Sequence, residues 1–347
     1  MEKPLKTAVL GLDETGRLLL EATKDLDYFS VAAVADNDTK LAQQTGTMWN
    51  CAAYDDYRQL IIANQLDCLF VAAPIHTCAD YLRMALKKNF NIIKLPPLAR
   101  NFSEAAELVK LAQSEKVNLV VANPGRFAQS NLAMRDFIIQ KSPDQPFFIL
   151  AAGRQSPTDA QQAKWRNDPV LAGGGAILYD CWEIIDQIVC NFGIPQQVYC
   201  VAASTAVDKQ QRLYLTEDSA LITMKFSDAL SGILLAGKAA GAFTVDKESQ
   251  QWLIAHYQDA LVKNDDKCLE VTDPQGRRLR RENFDDNYLG KLKKVLENFS
   301  SNLLTPDKNT LVSTAAENLK NMAVIEAAYL SARTGMPEQP ERILKIA

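Results

Sequence analysis

Two histidines, His76 and His256, are all that a chain of 347 residues provides, and they lie far apart in it. Imidazole-based metal sites and Ser-His-Asp constellations need more than that, so no metal is expected. The seven cysteines are odd in number, scattered, and never spaced Cys-x-x-Cys. That pattern argues against a disulfide framework or a thiolate zinc site and fits a reducing, cytoplasmic setting. No uncharged apolar run reaches the length of a bilayer crossing, and the opening "MEKPLKTAVLGL" lacks the cleavage site of a secretory leader, so no membrane partner is expected. A basic excess is missing too. With 38 Lys and Arg against 42 Asp and Glu, the net charge of −4 leaves no footprint for nucleic acid.

What the chain does have is ordinary globular composition, 47% hydrophobic and 23% charged, over a length that one core rarely fills. Two domains are expected, residues 1–124 and 125–347, with small-molecule or protein partners. The first alternates short apolar runs with amphipathic stretches, the rhythm of βαβ units and a parallel sheet. "KTAVLGL" (6–12), "SVAAVAD" (30–36), "CLFVAAP" (68–74), "FNIIKL" (90–95) and "NLVVANP" (118–124) are its predicted strands. After Pro124 come a predicted helix, "SNLAMRDFIIQ", a strand, "FFILAAG", a glycine cluster at 173–175 and strands of antiparallel character, "QQVYCVAAST", "SALITMKFSD" and "LSGILLAGKAAG". A hairpin through "DPQG" (273–276) and a long helix ending at Gly335 follow. The fold class is therefore α/β, with a doubly wound parallel sheet followed by a mixed, mostly antiparallel one. No internal repeats or Gly/Ser linkers appear.

"AVLGLDETGRLLLEA" puts a strand, a glycine turn and a helix in the order of a dinucleotide site, with Asp36 closing the second strand. Gly11 and Gly16 take the first and third glycine positions of the fingerprint, Leu12 follows Gly11, and Asp13 stands where the second glycine belongs. A carboxylate there adds bulk and repels a pyrophosphate. Asp36 reads in two ways. It is a ribose acceptor favouring NAD over NADP, because no arginine follows it, or else Asp36, Asn37 or Asp38 caps the next helix.

Together with "YDDYRQLI" (54–61), "ALKKNFNIIKLPPLA" (85–99), "WRNDPVLAGGGAILYDCWEIID" (165–186), "TEDSALITMKF" (216–226) and "ENLKNMAVIEAAYLSARTG" (317–335), these segments resemble the Gfo/Idh/MocA family of NAD(P)-dependent oxidoreductases over nearly the whole chain. The resemblance implies a Rossmann domain and a C-terminal α/β domain with an open-faced sheet that carries substrate and mediates oligomers, a dimer or tetramer here. It implies NAD or NADP as cofactor, a sugar, cyclitol or related hydroxyl compound as substrate, and Ala73, Pro74 and His76 beside the cofactor. It also locates departures. The family's Glu-Lys-Pro falls on Leu95, Pro96 and Pro97, and its aspartate and histidine after Gly-Gly-Gly fall on Tyr179 and Glu183, while a later aspartate is kept as Asp186. In "APIHTC" the family's histidine position is Cys78, two residues beyond His76.

Other residues can take over these roles. Lys94 lies two positions before Pro96 and so on the same strand face. Tyr179 and Glu183 are spaced i, i+4 on a helix beginning near Ile177, where both can face a cleft. Lys94, Tyr179 and Glu183 form the expected catalytic set. Against this stands the simpler reading of Lys94 as a strand-end surface charge, Tyr179 as a packing residue and Glu183 as a solvated helix position. Arg126, Trp165, Arg166 and Asp186 are the expected substrate contacts, with packing or a surface ion pair as their alternative. The helix N-terminus after the triple glycine can hold an anion. Three functions remain open: a divergent oxidoreductase, a non-catalytic nucleotide- or sugar-binding protein acting as a sensor or partner subunit, and a structural module.

Overall fold

Runs of Val, Ile, Leu and Ala that alternate with amphipathic segments near the start of the chain become a six-stranded sheet in which every pairing is parallel. The computed structural model describes residues 3–141, 145–154, 164–205, 215–241, 251–265 and 267–346. The strands are β1 (Leu5–Leu10), β2 (Phe29–Ala35), β3 (Ala52–Tyr54), β4 (Cys68–Val71), β5 (Asn91–Lys94) and β6 (Leu119–Val121), in the order β3-β2-β1-β4-β5-β6. Between them run α1 (Glu14–Thr23), α2 (Thr39–Trp49), α3 (Tyr57–Ala63), α4 (Ile75–Lys87) and α5 (Phe102–Ser114). Ala8, Val9, Leu10, Leu69 and Phe70 are buried. A parallel strand with helices on both faces has no solvent side, which is why these strands read as continuous apolar runs. The strand order reverses between β1 and β4, the place where a doubly wound sheet opens a crevice.

The second sheet has eight strands: β7 (Phe148–Gly153), β8 (Gln197–Ala203), β9 (Ser219–Lys225), β10 (Ser231–Gly237), β11 (Gln251–His256), β12 (Leu261–Asp265), β13 (Cys268–Thr272) and β14 (Arg278–Asn283). Their order is β14-β13-β12-β11-β7-β10-β9-β8, antiparallel except where β10 lies parallel to β7. Its helices are α6 (Gln129–Lys141), α7 (Pro169–Ala172), α8 (Ala176–Tyr179), α9 (Trp182–Phe192) and α10 (Lys238–Gly241). The register sorts the two faces. Ile222, Leu234, Ala151 and Leu253 lie in one buried row, and α9 packs on β7 and β11. In the opposite row Val201 pairs with Leu221 at 56% and 40% exposure, and Tyr199 on the same face is 37% exposed.

Two compact units result: Met1–Ala99, Ser103–Pro124 and Asn287–Asn318 in one, Arg100–Phe102, Gly125–Asp286 and Leu319–Ala347 in the other. The chain thus re-enters its first unit with α11 (Tyr288–Leu304), which packs on α1, before α12 (Ala315–Thr334) and α13 (Pro340–Leu344). Sequence periodicity left α11 unassigned although Leu292, Val295, Leu296 and Phe299 bury a stripe at helical spacing. It also left β11 and β12 unassigned, where Leu253, Ala255 and Val262 carry the alternation. β3 gave little signal, being three residues long with Ala52 and Ala53 exposed. The single helix expected from Ile177 through Glu183 is two, α8 and α9, broken at Asp180 and Cys181. Gly153 explains how the break is accommodated, since a Cβ there would stand 2.6 Å from the Asp180 carbonyl oxygen. Among the described residues no helix is long and apolar enough to cross a membrane.

Candidate functional site

At the end of β1 the chain turns through Gly11, whose φ of +85° favours a residue without a side chain. A Cβ on Gly11 would lie 2.5 Å from the Ala73 nitrogen, and one on Gly16 would lie 2.0 Å from the Gly11 oxygen. The two expected glycines are therefore required by close approach. Leu12 and Ala73 are buried beside them, Pro74 precedes α4, and His76 is half-buried in that helix's first turn. Asp13 caps α1: its Oδ1 accepts from the Gly16 N–H at 3.0 Å and from the Thr15 hydroxyl at 2.7 Å. The cap of α2 is Asp38, which accepts from the Lys40 and Leu41 N–H groups at 2.9 and 3.1 Å. Asp36 is left to the glycine loop, its Oδ2 accepting from Leu12 N–H at 2.7 Å and its Oδ1 from Asp38 N–H at 2.9 Å. Close beside it is Tyr57, which sequence reading missed. Its buried phenol is held well above the usual range, first by burial and then by the Asp36 charge. These residues fit a dinucleotide: a cradle too tight for any Cβ, a helix N-terminus, and a carboxylate at the ribose position.

Lys94 ends β5 and is 3% exposed. Its ammonium donates to the Leu95 carbonyl at 2.9 Å and the Pro97 carbonyl at 2.5 Å, so it braces the turn following its own strand, in which the Pro96–Pro97 bond is cis. Burial pulls its pKa down, with Cys78 and Glu104 acting in the opposite sense.

In the second unit the triple glycine is packed tightly. A Cβ on Gly174 would lie 2.0 Å from the Tyr329 hydroxyl, and one on Gly175 would lie 1.9 Å from the Glu217 carbonyl oxygen. The anion expected after these glycines is supplied by the chain. Glu217 accepts from Gly175 N–H at 3.0 Å, Ile177 N–H at 2.9 Å and the Tyr329 hydroxyl at 2.9 Å. Burial nonetheless pushes its pKa up, more than those donors pull it down. Tyr179 donates its hydroxyl to the Ala172 carbonyl at 2.8 Å, and its ring meets Trp165 edge-on at 6.0 Å and the Arg166 guanidinium at 4.8 Å. These two, Arg166 and Tyr179, line a cavity of about 450 Å³ together with Asp180, Glu217, Asp218 and Lys238.

Glu183 has different neighbours. Its Oε2 meets the Gln251 amide at 3.3 Å and lies where a Cβ on Gly125 would come within 3.3 Å. Tyr179 and Glu183 therefore share no contact of this kind, and Glu183 is not part of the cavity wall. Arg126 and Asp186, expected to touch substrate, are joined to each other, and Asn321 donates to the same carboxylate at 2.7 Å. Sequence gave no signal for Tyr329 or Glu217 as partners, since they lie 112 residues apart.

Residues 5–123 match a family model described as an oxidoreductase family with NAD-binding Rossmann fold, and residues 151–339 match its C-terminal alpha/beta domain. D-apiose dehydrogenase of Rhizobium rhizogenes is 21% identical over 341 residues, covering 95% of this chain and 96% of its own length. An oxidoreductase from Agrobacterium radiobacter, solved in complex with NAD+, L-tartaric acid and magnesium, has a TM-score of 0.84 at 18% identity and covers 98% of this chain and 100% of that one. An inositol dehydrogenase homolog from Azotobacter vinelandii complexed with NAD+ also has a TM-score of 0.84, at 16% identity and 98% coverage of both chains. At such identities the structural likeness establishes the fold.

Proposed function

The chain belongs to the Gfo/Idh/MocA family of oxidoreductases, and from that premise we propose that it oxidises or reduces a hydroxyl-bearing sugar, cyclitol or related compound with NAD. What supports this function is the β1–α1 turn, where Gly11 and Gly16 admit no side chain and Asp36 stands beside Leu12 N–H. The nicotinamide, when bound, supplies the hydride acceptor or donor. Asp36 accepts from the adenosine ribose and disfavours a 2′-phosphate by charge. Lys94 keeps the 95–97 turn in shape, and Tyr179 on the cavity wall orients the substrate through its phenol oxygen. The exposed row of Tyr199, Val201 and Leu221 supports pairing with a second copy of this chain, and the reducing cytoplasm is its setting.

A titration tests the core of this function. NADH should quench the fluorescence of the four tryptophans and bind more tightly than NADPH. Silence from both at millimolar concentration refutes it. With NAD, a polyol and sugar panel should then raise absorbance at the nicotinamide band, and Tyr179→Phe should weaken that rise. One observation favours a second possibility, a ligand-binding relative without turnover: the Lys94 ammonium is buried and bonded to two carbonyls of its own turn. NADH binding with no turnover on any panel member would select it.

A further inference from the structure

Arg166 differs from the paired arginines of the chain. Arg83 pairs with Glu107, Arg126 with Asp186, Arg277 with Asp273 and Arg280 with Glu282. The Arg166 guanidinium instead lies over the Tyr179 ring at 4.8 Å and the Trp165 ring at 5.9 Å, and among the described residues no carboxylate engages it. Its backbone oxygen accepts from the Thr216 hydroxyl at 2.9 Å. Stacking occupies the flat faces of a guanidinium and leaves its N–H edge available, and that edge matches a carboxylate at two points. The edge belongs to a half-buried side chain on the wall of the 450 Å³ cavity, a volume typical of ligand pockets, which run from about 300 to 1,000 Å³.

The other charges on the wall decide which anion fits. Lys238 is committed to Asp218 at 2.8 Å and to Thr205 at 2.7 Å. Among the described residues Asp180, Glu217 and Asp218 contribute three carboxyl groups against the two cations. The net charge of these groups opposes a phosphate dianion about twice as strongly as a single carboxylate, and the one uncommitted guanidinium can neutralise only the latter. The hydroxyls of Ser204, Thr205 and Thr216 and the acidic oxygens suit a chain of substrate hydroxyl groups.

We propose that Arg166 is the carboxylate-docking residue of this cavity and that the substrate is a sugar acid, a polyhydroxy monocarboxylate, in preference to a neutral polyol. This rests on the oxidoreductase function for its chemistry, but its binding test is independent of it. Calorimetry without cofactor compares D-gluconate with D-glucitol and D-glucuronate with D-glucose, with D-glucose 6-phosphate as the phosphate arm. At least one acid should bind about tenfold or more tighter than its neutral partner, the range for a charge-assisted contact. Arg166→Gln should cancel that preference and Arg166→Lys restore part of it, with NADH affinity unaltered in both. Equal binding of acids and neutral partners, no binding by either acid, tighter binding of the phosphate, or a preference that survives Arg166→Gln overturns the proposal. Wild-type protein gives a second measurement should the variant not fold. Phenylglyoxal labelling of Arg166, mapped by mass spectrometry, should be slowed by the bound acid and not by its neutral partner, and equal labelling overturns the assignment. Loss of NADH binding with acid binding intact would instead defeat only the oxidoreductase function.

Discussion

Arg126 and Asp186 hold each other at two points, Nε to Oδ2 and Nη2 to Oδ1, both at 2.8 Å. The aspartate side chain is 3% exposed, so removing either partner strands a buried charge. Asp186→Asn or Arg126→Met should each cost about 3–5 kcal/mol in urea unfolding. The double variant should cost clearly less than the sum, because it strands no charge. Additive losses would show that the two side chains act separately.

Asp13 concerns the cofactor rather than stability. Its carboxylate accepts from the Gly16 N–H, in the turn where the dinucleotide fingerprint expects a glycine beside the pyrophosphate. Asp13→Gly should tighten NADH binding several-fold, since a unit charge a few ångströms away is worth about 1 kcal/mol even in water. The melting temperature should hardly move, glycine being a tolerable N-cap. Weaker NADH binding in the variant would mean that Asp13 organises the loop instead of obstructing it.

For Lys94 the expected signature is a pH slope. Its folded pKa lies below the unfolded lysine value of about 10.4, so between the two the unfolded chain binds more protons and stability rises with pH. Below that window the penalty is complete and constant. Lys94→Met removes the titration, so the stability of the wild type relative to the variant should climb as pH is raised toward 10. A flat difference between urea midpoints would mean that the ammonium is not desolvated.

Glu217 titrates with the opposite sign. Burial raises its folded pKa above the unfolded glutamate value of about 4.3, so its contribution is full below that value and declines as pH rises through the folded one. Glu217→Gln should remove this decline, leaving a flatter stability profile from pH 4 upward. The melting temperature of the pair across that range checks it, and parallel curves would refute the assignment.

The parallel sheet was legible because its strands are buried on both faces and its helices carry stripes, so each element declares its environment locally. β11, β12 and α11 carried the same kinds of signal, in Leu253, Val262 and the Leu292 to Phe299 stripe, but without the regular βαβ alternation to frame them. At the site, Gly11, Gly16 and Asp36 were legible because they sit within one turn and one strand of each other in a familiar order. The contacts of Glu217 with Tyr329 and of Arg126 with Asp186 were not, since they join residues 112 and 60 positions apart.

By itself, then, the sequence determined the α/β class and the glycine turn, both set by residue identity and short-range periodicity. Only the tertiary structure decided what the remaining charged groups do. It put Lys94 on the carbonyls of its own turn, Glu217 against the triple glycine and Asp38, not Asp36, on α2, and left Arg166 stacked over Tyr179. The physical reason is that a charge withdrawn from water takes whichever partner packing brings within about 3 Å, and sequence spacing does not specify that partner.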